Sequence, residues 1–188
     1  MEYYITDDIE SGKYEKLIDY LLEKCDAVSF RLPKYNEFLV TNENKEALGG
    51  TIGDHYFDHS LDKDVTEYMK NVKPILKRFQ HYFIKEYDSV SYGYIVTGYV
   101  NSVKIMRFEP RVAQLLKKEK SLFSWNTSRS NPLPCDLCFY ADHKPVLITD
   151  AGEFRAFFYA EDDTDLNELG IEYEDAEKIN EDLYILDY

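Results

Sequence analysis

The chain has 188 residues with 36 Asp and Glu against 22 Lys and Arg, a formal net charge of −14 at pH 7. That length suits one domain with a self-sufficient core, and no stretch approaches the ~20 apolar residues that span a bilayer. Three cysteines, Cys25, Cys135 and Cys138, are an odd and small set that fits a reducing compartment better than a disulfide framework, so a cytoplasmic protein without a secretory leader is expected.

In chain order, Tyr14, Leu17, Ile18, Leu21, Leu22 and Cys25 recur at three- and four-residue steps, which predicts an amphipathic helix over 12–24 with Ser11 as its cap. Residues 27–33 alternate and end in proline, a strand whose expected partner is 37–40. The polar stretch 41–60 reads as a long loop. Val65, Met69, Val72, Leu76, Phe79 and Phe83 hold one helical face, predicting a helix over 62–86 that Pro74 should kink. Its other face carries Lys63, Lys70, Lys73, Lys77, His81 and Lys85, with Glu67 the acid among them. A hairpin is expected over 90–108, turning at Asn101-Ser102. A short helix follows over 111–118 and a polar loop over 124–134. Three short apolar runs, 136–141, 145–149 and 154–159, read as a meander. Asp165 with Glu168 reads as a capping box closed by Gly170, and Ala176, Ile179 and Leu183 suggest a second helix after it.

The expected fold is therefore α+β. It is a single domain with a mainly antiparallel sheet, comprising an N-terminal strand pair, a central hairpin and a C-terminal meander. An N-terminal helix and a long kinked central helix pack on it. Residues 1–160 form the core, and 161–188 form an acidic, ordered extension packed on the same domain. Seventeen Tyr and eleven Phe against one Trp suit a sheet with one exposed side or a recognition surface.

Two weak constellations could hold metal. Asp54-His55-Tyr56-Phe57-Asp58-His59 places His55 and His59 four apart beside Asp58, a pair that one side of a helix would present to a divalent ion. The glutamate of a zinc-protease motif does not follow His55. Cys135 and Cys138 have the spacing of half a zinc site, whose available completions, Cys25 and His143, need the first helix to approach the meander. On a regular strand, residues three apart face opposite ways. No cofactor is expected unless zinc or another divalent metal occupies one of these sets. The nucleophile elbow, the phosphate loop and the dinucleotide fingerprint are all absent.

Charge placement is the stronger signal. Residues 161–188 hold twelve Asp and Glu against one lysine, while the preceding 160 residues are close to balanced. Between Lys70 and Lys120, eleven Lys and Arg face four acids. The acidic end, through Asp162, Asp163, Asp165, Glu172, Glu174 and Asp175, is the candidate surface for a basic protein partner. Alternatively, that end packs on the protein's own basic helix face and the two charges cancel. Net charge argues against a nucleic-acid partner despite Tyr92, Tyr94 and Tyr99 beside the basic region.

The run Leu32-Pro33-Lys34-Tyr35 through Phe38-Leu39, followed by Gly49-Gly50, resembles the signature region of the SMI1/KNR4 immunity superfamily over about a tenth of the chain. The asparagine that usually precedes the glycines is missing, and no residue roles are carried over. Size, acidity and tyrosine content are also similar in type to bacterial immunity proteins and phage-encoded inhibitors. The expected function is an inhibitory or immunity-type protein that binds a basic partner. The alternative is a metal-dependent enzyme built on His55, Asp58 and His59.

Overall fold

A computed structural model describes residues 1–34, 60–92, 95–126 and 133–175. Its first strand, β1 (Glu2–Ile5), buries Tyr3 and Ile5 and leaves Glu2 and Tyr4 half-covered. Helix α1 (Ser11–Lys24) then buries Tyr14, Leu17, Ile18 and Leu21, the face that the three- and four-residue spacing predicts. Ser11 is not its cap. It is the first helical residue, with φ 53°, and Glu10 occupies the cap position without a side-chain bond.

Strand β2 (Ala27–Lys34) pairs antiparallel with two later strands, β4 (Ile95–Arg107) and β5 (Cys135–Ala141). It is thus an interior strand, and the expected partner at 37–40 lies outside the described residues. Helix α2 (Ser60–Phe79) buries Tyr68, Val72 and Phe79. The Phe79 ring meets Phe30 edge-on at 5.9 Å and Trp125 at 6.3 Å. The helix is shorter than the expected 62–86, because Phe83 begins β3 (Phe83–Tyr92) and pairs with Met106 across β4. Phe79 and Phe83 are four apart, so the helical face is continuous in sequence where pairing to β4 prevails. The hairpin exists but turns elsewhere than predicted. Asn101 and Ser102 lie inside β4, opposite Ser89 and Asp88.

Helix α3 (Pro110–Leu116) carries proline in its first turn, where a missing N–H costs nothing. The meander is β5, β6 (Lys144–Asp150) and β7 (Arg155–Tyr159). Asp142 and His143, with φ 48° and 66°, close β5 onto β6 in the two-residue geometry that matches strand twist. Helix α4 (Thr164–Leu169) and the two-residue strand β8 (Glu174–Asp175) complete the described chain.

The strands form one sheet in the order β3-β4-β2-β5-β6-β7-β1-β8, and every described pairing is antiparallel. The protein is thus a single α+β domain. One sheet face, bearing Val28, Phe30, Leu32, Leu137, Phe139, Leu147 and Phe158, meets the helices in the main core. On the other face Ala27, Val103, Ile105, Cys138, Tyr140 and Ile148 form a smaller cluster flanked by Tyr87 and Tyr159. No helix among the described residues is long and apolar enough to cross a membrane.

Helix α4 ends in a double bond pattern: Gly170 N–H reaches Asn167 O at 3.1 Å and Ile171 N–H reaches Leu166 O at 3.0 Å. Gly170 sits at φ 67°, where a Cβ is strained. Leu166 and Ile171, both buried, seal the turn. Gly170→Ala should therefore lower stability by about 1 kcal/mol in urea denaturation. An unchanged midpoint would mean that this turn contributes nothing to the fold.

Candidate functional site

The acidic end begins as a well-tied segment. Asp162 Oδ1 accepts the Thr164 N–H at 3.0 Å; hydrogen bonding from the Thr164 side chain, and then this backbone bond, holds its carboxyl below the usual range. Asp162 is thus the side chain that satisfies the start of α4; Asp163 occupies the cap position without such a bond. The expected capping box of Asp165 with Glu168 is not the arrangement found. Asp163 instead accepts the Tyr173 hydroxyl at 2.5 Å, and Asp165 accepts the Tyr20 hydroxyl of α1 at 2.6 Å. Burial, then the bond to Asp165, pushes the Tyr20 hydroxyl upward. These three carboxylates work within the fold.

Glu172 and Glu174 differ. Both side chains are exposed, and the backbone beneath them is fixed because Tyr4 pairs with Glu174 and Tyr3 with Asp175. Beside them a cleft of about 160 Å³ is lined by Asp7, Asp8, Ile9, Lys13, Ile171 and Glu172. Asp8 also accepts the Phe123 N–H at 2.9 Å, which anchors that wall. The result is an edge with outward carboxylates on a rigid frame.

The basic stripe is on α2, which packs on β2 through Phe79 and Phe30, bonds Leu133 O through the Tyr68 hydroxyl, and leads into β3. Lys70, Lys73, Lys77 and Arg78 are exposed, and none of them has an ion pair among the described residues. The side chain of Lys63 lies outside the described residues. Lys85 stands over the Tyr87 ring at 6.0 Å. Residues 161–175 are attached instead to β1 and α1. The expected packing of the acidic end on its own basic helix is therefore not the arrangement of its described part.

Cys135 and Cys138 are both buried in β5. Cys138 joins the smaller cluster, away from the helices, while Cys25 belongs to the main core. The sheet thus separates two of the three thiols. His143 is exposed in the β5–β6 turn. Among the described residues no three His, Cys, Asp or Glu side chains group as metal ligands. His55, Asp58 and His59 lie outside the described residues.

A buried polar network was not legible beforehand. Arg31 Nε donates to Asp136 Oδ2 at 2.6 Å, and its Nη1 donates to Asn101 Oδ1 at 3.0 Å. The other Asp136 oxygen accepts the Ala151 N–H at 2.8 Å. Burial raises the Asp136 carboxyl, and Arg31 opposes that shift. Asp136 is 1 % exposed and has φ 54°, beside a register shift between Ser29 and Arg31. Arg155 clasps Asp150 through Nε at 3.1 Å and Nη2 at 2.9 Å in the adjoining turn. The enclosed pair of Arg31 and Asp136 is mutually satisfied and positions strands.

No family model, curated protein or solved structure matches the chain.

Burial, then the Asp26 charge, pushes the Cys25 thiol up to about 12. A thiol is reactive only as thiolate, so Cys25 should resist Ellman's reagent at pH 8 in the folded protein. All three cysteines should titrate once urea unfolds the chain. Rapid native labelling at Cys25 would show that the α1 terminus opens far more readily than its packing implies.

Proposed function

We propose that this protein is a small acidic binding protein, of inhibitory or immunity type, that docks its 161–188 edge on a basic protein. The observation that supports this reading is the exposure of Glu172 and Glu174 on a backbone already held by β1. An edge organised before encounter loses little conformational freedom on binding, and its concentrated charge accelerates approach of a basic surface. Among the described residues the protein's own cations at Lys70, Lys73, Lys77 and Arg78 have no ion pair with this edge, which supports a partner's surface as its countercharge.

The test compares two charge-neutralised proteins in binding to a fluorescent lysine-rich polypeptide at low salt. Glu172→Gln/Glu174→Gln should weaken binding by about tenfold, and Glu23→Gln/Glu153→Gln, an equal charge change elsewhere, by less than about twofold. Equal losses would mean that net charge alone attracts the polypeptide, and the proposed docking edge would be wrong.

A further inference from the structure

We infer that the chain associates head to tail with copies of itself, the exposed cations of α2 docking on the acidic edge of the next copy. The inference rests on the proposed role of that edge and names its partner. Lys70, Lys73 and Lys77 share one helical face by their spacing, and all three are exposed. On the acidic edge Glu174 lies in β8 and Glu172 two residues before it, both exposed. The two rows are therefore complementary in charge.

Among the described residues no ion pair joins the α2 cations to the acidic end, whose described part is held to β1 and α1. A second copy can therefore supply the countercharge to each. The net charge of −14 does not forbid the contact, because residues 161–188, the surface that the contact uses, supply eleven of those charges.

The two surfaces are different, so the contact is heterologous and repeats into a ring or an open chain. Phosphate would also attract these lysines, but the described aromatics beside them do not form a single-strand groove. Tyr82 and Phe83, the aromatics that follow the stripe, are half-buried against the core, Phe83 with its ring 6.2 Å from Phe30. They offer no stacking platform. An acidic edge, by contrast, accompanies every copy of the stripe.

Sedimentation at low salt tests the inference with the full chain. The wild type should form oligomers that dissociate as salt rises. Lys73→Glu/Lys77→Glu and Glu172→Gln/Glu174→Gln should each be monomeric alone. Mixed in equal amounts they should form a dimer, because each supplies the surface that the other lacks. A wild type that stays monomeric up to about 1 mM at low salt, or a mixture that stays monomeric, overturns the inference. If that monomer retards an oligonucleotide through Lys73 and Lys77, the stripe belongs to phosphate instead. A monomeric wild type that still binds the lysine-rich polypeptide through Glu172 and Glu174 refutes self-association alone and leaves the proposed function standing.

Discussion

Arg31 on β2 reaches Asp136 on β5 and Asn101 on β4 with one guanidinium, so a single side chain ties three adjacent strands at the middle of the sheet. Asp136 extends the tie to a fourth strand by accepting the Ala151 N–H at the end of β6. Each charge is compensated by the other and by a hydrogen bond to a third group, the condition under which a buried pair can be borne. Removing either partner would leave the other enclosed without a counter-charge, a loss of about 3–5 kcal/mol in comparable sites. The left-handed backbone at Asp136 is the local strain that this arrangement sustains.

What the tie holds apart matters for function. On one flank β4 and β3 lead to the basic helix; on the other β6, β7 and β1 lead to the acidic edge. Among the described residues no ion pair joins the two charge sets. Asp162, Asp163 and Asp165 are engaged in holding α4, Tyr173 and Tyr20, whereas Glu172 and Glu174 are exposed beside β1.

Local patterns in the chain were a good guide wherever contacts are local. The α1 face, the short α3 and the three strands of the meander follow from apolar spacing within a dozen residues. The mistakes arose where distant pairing decides. Phe83 continues the helical phase of Phe79 but is claimed by Met106, and Asn101-Ser102 has turn chemistry yet lies within β4. There Asn101 serves Arg31 and Ser102 donates to Glu86 at 2.7 Å. The four residues of β1 were too few to stand out, and their partner Arg155–Tyr159 is far along the chain. Asp136 was hidden in the same way. Within Cys135-Asp136-Leu137-Cys138 it read as a spacer between thiols, and its counter-charge lies 105 residues away. For the charged edge, composition located the acidic region, but only the pairing of β8 with β1 separates internal carboxylates from outward ones.

Measured in protein dilute enough to be monomeric at every salt concentration, stability as a function of salt tests most directly whether the two charge sets stand apart in the molecule. If they do, raising NaCl from about 0.02 M to about 0.5 M screens repulsion among the crowded carboxylates, and the urea midpoint at pH 7 should rise or hold. If the acidic end were neutralised on the protein's own basic helix, the same salt would weaken an attraction, and a clear fall in the midpoint would contradict the account.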